Sequence, residues 1–470
     1  MQSFNKKSII ILLLAGGFIS ILNQTTMITA IPPIMNEMHV SANTGQWLTT
    51  VFMLVNGVMI PVTAFLIERF TTRQLFITAM SVFAVGTAFS AIAPNFGTLL
   101  LGRIIQSTGA GVIMPLMQTV FLLIFPVKSR GVAMGLVGLV ISFAPAIGPA
   151  LSGWIITNIS WRAIFLIILP IAIIEILVAT KVMKNVTELT YPKLDMLSII
   201  LSSFGFGGFL YGFTSAGNNG WGSIITITTL VVGAAALVLF IIRQLRMKVP
   251  MLEFRVFKNF IFTLSVILPM IAFMGLIGAE TLIPLYMQNM RDFTAMEAGI
   301  AILPGALVNG MMSPITGLIF DRFGARWLSV IGFTIITVTT FAFSNLSVET
   351  SMFMVMLLYA IRMFGISMVM MPATTAGLNQ LPKELIPHGT AMTNTMRQVA
   401  ASIGTAIVIT VMTTTGAAAE HKPNIPYPMI HGVNVAFMII TVLSAIGIVL
   451  SFFIKKGNTS VEEQSRVPDE

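Results

Sequence analysis

Two similar stretches of sequence, AFLIERFTTR at 64–73 and GLIFDRFGAR at 317–326, show how this chain is organised. Each places an acid, an arginine, a phenylalanine and a second arginine in a tight loop between two long apolar runs. Apolar runs of about 20 residues predict membrane-spanning helices. A loop motif that recurs after the second helix of each group of six indicates that the chain consists of two related halves.

The composition places the chain among polytopic membrane proteins. Apolar residues make up 56% of its 470 residues, charged residues only 9%, and the mean hydropathy is +0.92. This much apolar material cannot fit inside one soluble core and needs lipid as its solvent. The chain contains no cysteine, which excludes structural disulfides, Cys-ligated zinc and thiol catalysis.

Fourteen apolar runs are long enough to cross a membrane. They lie near 8–30, 46–67, 74–93, 97–124, 131–156, 162–181, 196–215, 223–243, 260–285, 297–320, 327–345, 352–375, 389–413 and 431–454. The first run is too long for a signal peptide and lacks a small-residue cleavage site, so we expect it to be retained. We therefore predict an all-α polytopic membrane protein with 14 transmembrane helices arranged 6 + 2 + 6.

The predicted parts of the chain follow from this arrangement. They are a six-helix bundle at 1–184, a two-helix insertion with cytoplasmic linkers at 185–258, a second six-helix bundle at 259–456 and a disordered cytoplasmic tail at 457–470.

The positions of Lys and Arg predict the orientation of the chain. With the N-terminus in the cytoplasm, only Arg162, Arg291 and Lys422 of the 26 lie outside, and Arg103, Arg362 and Arg397 lie within spans. The others fall on the cytoplasmic side, as the positive-inside rule requires. Both termini are therefore expected in the cytoplasm, and the net charge of +9 reflects topology rather than nucleic-acid binding.

Further motifs occur on particular spans in a fixed order. They are LNQTTMITAIPPI at 22–34, GRIIQSTGAG at 102–111, FAPAIGPALSGW at 143–154, WRAIFLIILPIA at 161–172 and RQVAASIGTAI at 397–407. Together with the loop motifs they resemble the major facilitator superfamily, and within it the fourteen-span drug:proton antiporters of the lincomycin-resistance (LmrB-like) and EmrB-like kind. The resemblance covers nearly the whole chain and implies export of hydrophobic compounds driven by proton entry. Relative to that family, Ala64 and Thr71 replace glycines and Glu68 replaces an aspartate, which predicts a looser contact at this loop.

The loop motifs are predicted to form a conformational latch. Glu68 is expected to accept hydrogen bonds from helix-terminal amides or to pair with Arg69 and Arg73. The second half repeats the pattern with Asp321, Arg322 and Arg326. Such contacts would hold together the cytoplasmic ends of helices that separate when the cavity opens inward. The alternative is that the arginines only anchor the loops on the cytoplasmic side.

Span 5 carries the motif that resembles the antiporter signature of the family, with Pro145, Gly148, Pro149 and Gly153. Glycines allow a neighbouring backbone to approach closely, and prolines free carbonyl groups and bend a helix. We predict a pliable helix between the halves that seals the outer end of the cavity against proton leak. Ordinary packing of small residues would explain the glycines equally.

Ionisable groups inside a membrane are rare and usually functional. Only two acids lie well inside a span, Glu280 in span 9 and Glu175 in span 6. Both are candidates for proton coupling, and Glu280 ranks first because span 9 corresponds to a cavity-lining helix in the resembled superfamily. Against this, Glu280 lies about 20 residues along its span, roughly 30 Å, so an interfacial position is an alternative.

Several polar side chains are candidates for the lining of a cavity. They are Asn23, Gln24, Arg103, Gln106, Arg362, Asn394, Arg397 and Gln398, and with Ser402 the last helix carries a polar stripe at four-residue spacing. Arg103 and Arg362 need anionic or carbonyl partners. Asn23 stands where the resembled family has an aspartate, and its depth in the membrane matches that of Arg103. It is therefore a candidate partner of Arg103 or of a substrate, the alternative being a purely structural hydrogen bond between helices.

No enzyme signature is present. The chain has no GxxxxGK[ST] motif for ATP, and the four histidines, His39, His388, His421 and His431, lack metal-ligand spacing. His388 is expected to be solvated in a cytoplasmic loop.

The sequence therefore predicts a monomeric multidrug exporter in a bacterial-type cell membrane. Its predicted partners are the bilayer, hydrophobic small molecules and protons, without a cofactor, metal or nucleic acid. A symporter or facilitator of the same fold and a non-transporting sensor or channel are the alternatives.

Overall fold

The computed structural model describes residues 6–420 and 425–454, so Lys422 and the predicted tail at 457–470 lie outside the described residues. The described chain forms fourteen long α-helices, all of them long and apolar enough to cross a membrane. They are α1 (Lys6–Met38), α2 (Ala42–Arg69), α3 (Thr72–Ala91), α4 (Phe96–Ile124), α5 (Arg130–Asn158), α6 (Arg162–Val182), α7 (Met196–Asn219), α8 (Ile224–Arg246), α9 (Phe260–Arg291), α10 (Ala295–Phe323), α11 (Ala325–Phe343), α12 (Met352–Leu378), α13 (Ile386–Ala419) and α14 (Pro428–Ser451). Short 3₁₀ turns lie at Val127–Ser129, Phe254–Lys258 and Lys383–Leu385.

Some helices extend beyond their apolar runs, because capping residues rather than polarity end them. The sequence predicts span 9 over 260–285, whereas α9 continues to Arg291 and ends where Asp292 adopts a left-handed conformation with φ of 57°. The next helix begins with a capping box between Thr294 and Glu297. Glu280 therefore lies eleven residues before the end of α9.

Helices α1–α6 and α9–α14 form two bundles, each with its own apolar core. Phe76 and Phe165 are fully buried in the first bundle, and Phe333 and Phe437 in the second. Helices α7 and α8 are inserted between the bundles in sequence. This confirms the predicted all-α arrangement of 6 + 2 + 6.

The two bundles meet at one end of the molecule. We call the end that holds Lys6 and Ser451 the proximal end and the opposite end the distal end. In the proximal half, α5 and α10 cross so closely that a Cβ atom on Gly131 would lie 2.4 Å from the carbonyl oxygen of Gly317. A Cβ atom on Gly135 would lie 2.6 Å from the carbonyl oxygen of Ser313. Only glycine permits this approach of two helix backbones.

The distal half of α5 does not form the predicted seal between the bundles in this conformation. It packs on α1 of its own bundle, where Gly148 fits against Thr25 and the hydroxyls of Thr29 and Ser152 are hydrogen-bonded. No neighbouring element of the described chain comes within 4 Å of a Cβ atom placed on Gly153. The close contacts between α5 and α10 run from Gly131 to Phe143, at the middle of α5. Because the distal half of α5 packs on its own bundle instead, we interpret the conformation as closed proximally and open distally.

The inserted helices α7 and α8 form an antiparallel hairpin that is clamped at its proximal end. Arg243 donates to both carboxylate oxygens of Asp195, at 2.8 and 3.0 Å, and Ser198 donates to Asp195 at 2.6 Å. The Arg243 guanidinium holds the pKa of Asp195 well below its usual value, at about 2. The clamp is therefore charged at any physiological pH.

The crossing of α7 and α8 provides a test of this packing. A Cβ atom on Gly233 would lie 2.6 Å from the backbone nitrogen of Phe209. We expect Gly233→Ala to push the helices apart and to lower the free energy of unfolding by about 1–3 kcal/mol, as overpacking does. Gly217→Ala is the matched control, because a Cβ atom there would meet Ile409 at 3.8 Å.

Thermal denaturation of the detergent-solubilised protein, followed by tryptophan fluorescence, measures both variants. If Gly233→Ala and the wild type melt at the same temperature, the close crossing is contradicted.

Candidate functional site

The first bundle encloses a buried arginine, Arg103 on α4. Its Nη1 donates hydrogen bonds to Oδ1 of Asn23 on α1 (2.5 Å) and to Oε1 of Gln106 (2.7 Å). Its Nε donates to the backbone carbonyl of Leu48 on α2 (3.3 Å), and the guanidinium lies 4.2 Å from the centre of the Phe52 ring. The contact between Asn23 and Arg103 that their matching depths predict is present, and all these partners are uncharged.

The second bundle holds an equivalent arginine with fewer partners. Arg362 on α12 is also fully buried, and its Nε donates to Oγ1 of Thr340 on α11 (3.2 Å). Its Nη1 and Nη2 have no hydrogen-bond partner in the described part of the chain. Nη2 faces α9, 3.0 Å from the position of a Cβ atom on Gly275. The anionic or carbonyl partner expected for Arg362 is therefore absent from this conformation among the described residues.

Glu280 on α9 faces the space between the bundles and lies within electrostatic range of this arginine. Phe273 and Glu280 share one face of α9, because residues seven apart lie on the same side of a helix. The guanidinium of Arg397 lies 5.6 Å from the centre of the Phe273 ring, so this face borders α13. The Glu280 side chain is exposed and lies within electrostatic range of Arg362 and of the buried Tyr359. An exposed carboxyl thus lies within electrostatic range of an arginine whose two Nη atoms lack partners among the described residues.

Polar residues of α13 close the proximal side of this space. Asn394 donates through Nδ2 to Oε1 of Gln118 on α4 (2.6 Å), which joins the two bundles. Its Oδ1 accepts a hydrogen bond from Nη2 of Arg397 (2.5 Å). Gln398 instead faces α2 and α7. The polar stripe predicted on this helix is therefore divided, because Asn394 contacts Gln118 and Arg397 whereas Gln398 faces α2 and α7.

Asp321 in the second loop motif links the bundles at the proximal end. Its carboxylate accepts hydrogen bonds from the backbone amides of Gly131 (2.7 Å) and Val132 (3.1 Å) in the first turn of α5. These amides have no partner within their helix, and the helix dipole is positive there, so a carboxylate is favoured. Arg322 and Arg326 of the same motif are exposed, and Arg326 lies over the ring of Trp327.

Glu68 in the first loop motif makes a different contact from the one predicted. It does not pair with Arg69 or Arg73, because its Oε1 lies 2.8 Å from Nε2 of His388 on α13. Arg73 donates instead to the backbone carbonyl of Thr180 (2.5 Å), and Arg69 reaches a loop carbonyl at 3.5 Å. The prediction of an ion pair within the motif was wrong because carbonyl groups at the helix ends and loops satisfy both arginines.

His388 is 4% exposed, so the expectation that it is solvated was also wrong. Helix α13 begins at Ile386, which places His388 in its first turn rather than in a loop. Its Nδ1 accepts a hydrogen bond from the backbone amide of Glu253 (3.3 Å), so its Nε2 carries the proton that is donated to Glu68. This imidazole joins the first bundle to the second and to the linker that follows α8.

Glu175 on α6 lies apart from the space between the bundles. It is 5% exposed, and its Oε2 lies 3.2 Å from the position of a Cβ atom on Gly16 of α1, beside Phe76 of α3. Neither carboxyl oxygen has a hydrogen-bond partner among the described residues. The structure therefore separates the two acids, with Glu280 within electrostatic range of Arg362 and Glu175 inside the wall of the first bundle.

Sequence reasoning missed two threonines that support the arginines. Gln106, which holds Arg103, donates to Oγ1 of Thr87 on α3 (2.7 Å), and Thr340 holds Arg362 from the corresponding helix of the second bundle. Threonines in helices commonly bond to their own backbone and so attract little notice. The repeat could have revealed them, because they have the same 253-residue spacing as Glu68 and Asp321. Gln24, beside Asn23, is half-buried.

Comparison with known proteins agrees with this geometry. The sequence profile of the Major Facilitator Superfamily matches residues 13–405. An uncharacterized MFS-type transporter of Bacillus subtilis (strain 168), YcnB, is 55% identical over 98% of each chain. The lincomycin resistance protein LmrB of the same strain is 43% identical over 97% of each chain. The multidrug export protein EmrB of Haemophilus influenzae is 30% identical over 83% of this chain and 77% of its own.

Among solved structures, the crystal structure of the human organic anion transporter MFSD10 (TETRAN) matches with a TM-score of 0.68 at 12% identity. The match covers 96% of this chain and 100% of that chain. At this identity the likeness supports the fold.

The hydrogen bond between Asn23 and Arg103 can be tested through stability. Asn23→Ala removes one of two side-chain acceptors of Nη1 and should destabilise the protein by about 1–3 kcal/mol, as expected when a buried donor loses its partner. Asn23→Asp keeps the acceptor and should melt at or above the wild-type temperature. Thermal denaturation in detergent measures both, with the half-buried Gln24→Ala as the control. An Asn23→Ala variant as stable as Gln24→Ala would show that the hydrogen bond contributes nothing.

Proposed function

The chain belongs to the Major Facilitator Superfamily, and we propose that it is a secondary active exporter that moves hydrophobic compounds out of a bacterial cell in exchange for protons. It acts by alternating access and is not an enzyme. Resistance to lincomycin and multidrug export, the functions named for its relatives, support this substrate class. Its partners are the bilayer, hydrophobic small molecules and protons, and it works as a monomer without a cofactor, metal or nucleic acid.

The proximal end is assigned to the cytoplasm by its charge. Helix ends and loops there carry most of the Lys and Arg, which the positive-inside rule places in the cytoplasm. Both chain termini are then cytoplasmic, and the described conformation is open towards the outside. It is the conformation from which a compound leaves and into which a proton enters.

Glu280 lies within electrostatic range of Arg362, whose Nη1 and Nη2 have no partner among the described residues, and this arrangement supports the proposed coupling. A carboxylate is the strongest partner that a guanidinium can have in a membrane. Ionised Glu280 pairs with Arg362, and protonated Glu280 releases it, so proton binding changes the contact between α9 and α12. The first bundle cannot do this, because the amide of Asn23 does not titrate.

Substrates occupy the same distally open space. The chain contains 33 methionines and 34 phenylalanines, and side chains of these types fit varied apolar shapes because they are flexible or offer aromatic faces. Arg397 and Phe273 supply a cation and an aromatic ring within this lining. Bound compound and proton therefore act on the same helices, α9 and α13.

Replacing the proposed proton carrier tests the coupling directly. Glu280→Gln keeps the size and hydrogen bonding of the side chain but cannot titrate, so we expect proton-driven efflux to fall by about tenfold or more. Substrate-dependent proton release from inverted membrane vesicles, with lincomycin or ethidium as the probe, measures it. Glu175→Gln is the matched control and should change proton release little, because Glu175 lies outside the space between the bundles, which we call the central space.

Two outcomes would contradict this assignment. Normal proton-driven efflux by Glu280→Gln would remove Glu280 as the carrier. Accumulation of the probe on the cytoplasmic side, in step with proton entry, would identify a symporter instead of an exporter.

The contacts of Asp321 are proposed to act as a latch. Asp321→Ala removes two charge-assisted hydrogen bonds at the proximal end and should favour opening towards the cytoplasm, so that turnover slows while substrate affinity stays near the wild-type value. The exposed Arg322→Gln is the control. Transport kinetics separate the two parameters, and normal turnover with weakened affinity would refute the latch.

Because the chain has no cysteine, opening can be observed with two introduced labels. Spin labels at Lys128 and Lys383 lie on exposed proximal loops of the first and second halves. Asp321→Ala should add a population with a longer distance between them, which Arg322→Gln should not.

A further inference from the structure

Helix α7 of the inserted pair lies against both bundles. Phe206 and Leu210 of α7 belong to one buried cluster with Phe65 of α2 and Val399 of α13. The three helices meet at Gly57 of α2, where a Cβ atom would lie 2.4 Å from Cδ1 of Leu210. Helix α7 therefore closes the seam between α2 and α13, where the two bundles would otherwise face lipid.

Distal to this apolar cluster the seam widens into a cavity, which we call the seam cavity. Its polar lining comes from three helices: Thr50 of α2, Thr214 of α7, and Gln398 and Ser402 of α13. The remaining lining is apolar and includes Met53 and Leu54. No charged residue lines it within the described chain. A cavity with this lining suits an uncharged group that forms hydrogen bonds.

Two aromatic contacts hold α7 in place on the distal side of this cavity. The rings of Trp47 on α2 and Tyr211 on α7 stack with centroids 5.6 Å apart and an interplanar angle of 25°. The indole nitrogen of Trp221, just after α7, donates to Oγ1 of Thr410 on α13 (2.8 Å). The position of α7 is thus fixed against both bundles.

The polar stripe on α13 joins the seam cavity to the central space. Asn394 closes the central space through Gln118, whereas Gln398 and Ser402, one and two turns further along, line the seam cavity. Arg397, the neighbour of Gln398, faces Phe273 in the central space. One helix therefore forms the boundary of both, with its charged residue on the central side and its uncharged residues on the seam side.

We propose that the seam cavity is a subsite of the transport pathway and that Thr214 of α7 determines specificity for the uncharged, hydrogen-bonding part of an exported compound. This inference rests on the proposed export function. The hydroxyl of Thr214 donates to the backbone carbonyl of Leu210 (3.0 Å), so its oxygen can accept a hydrogen bond from an amide or hydroxyl of the compound. Cationic compounds are held in the central space by Glu280 and do not require the seam cavity.

The test uses two probes of different charge, chloramphenicol, which is uncharged and has an amide and hydroxyls, and ethidium, which is a cation. Thr214→Val keeps the shape of the side chain and removes its oxygen, so the concentration for half-maximal export of chloramphenicol should rise about fivefold, the ratio that corresponds to one hydrogen bond. Export of ethidium should not change. Thr214→Trp fills the cavity and should abolish chloramphenicol export while ethidium export continues.

The matched control is Thr228→Val on α8, because Thr228 is exposed on the same hairpin and bonds only to its own helix, to the carbonyls of Ile224 and Ile225. A direct readout uses Thr214→Cys in the cysteine-free chain. Chloramphenicol should slow its labelling by N-ethylmaleimide, whereas labelling of Thr228→Cys should stay constant.

The outcomes separate the subsite from the proposed function. If Thr214→Val and Thr228→Val change proton-dependent export of chloramphenicol equally, or if neither changes it, the subsite is overturned. The exporter function then remains intact. Absence of proton-dependent export of both probes by the wild type would overturn the exporter and, with it, the inference that rests on it.

Discussion

A guanidinium buried in a membrane must find polar partners, and the two bundles meet this constraint differently. Arg103 is held by two amide oxygens and a backbone carbonyl and leaves only its Nη2 without a partner among the described residues, so uncharged acceptors tie α1, α2 and α4 together. Arg362 has only the hydroxyl of Thr340, and a buried donor without an acceptor costs about 1–3 kcal/mol or more when it is charged. The second bundle is therefore the part of the molecule whose arrangement a single ionised carboxylate, Glu280, can change.

Helix α10 provides a physical path from this arginine to the proximal contacts. At Gly305 it fits against Tyr359, one turn from Arg362 on α12, so closely that a Cβ atom would lie 2.3 Å from the tyrosine ring. At its other end α10 carries Asp321, which caps α5 of the first bundle. Helix α10 is thus packed against the arginine site at one end and hydrogen-bonded across the interface at the other, so it can transmit a rearrangement as a rigid body. In the proposed mechanism this links protonation of Glu280 to alternating access.

The sequence predicts the fold well, because apolar runs report directly on which segments the lipid accepts. It also predicts the contact between Asn23 and Arg103, since depth along a helix is a simple count of residues. It does not predict the pair formed by Glu68 and His388, because no pattern within either segment says which helix end lies opposite it across the interface. The end of α9 is subject to a similar limit, because it is set by the left-handed turn at Asp292, beyond the apolar run.

The contacts that close the proximal end differ in kind from those that hold α7. Asp321, Glu68 and Asn394 join the bundles by hydrogen bonds. Water can replace such bonds at a net cost of about 0.5–1.5 kcal/mol each between neutral groups and about 1.5–3 kcal/mol each where a charged group takes part, so the bundles can separate there. The seam is closed by apolar packing and aromatic rings, which have no such substitute. In the proposed cycle the bundles separate at the proximal end and approach each other distally, so α7 must stay with one of them and lose packing against the other. On the proposed mechanism the seam cavity then changes shape in every cycle, and a compound held by Thr214 in one conformation would lose part of its site in the next.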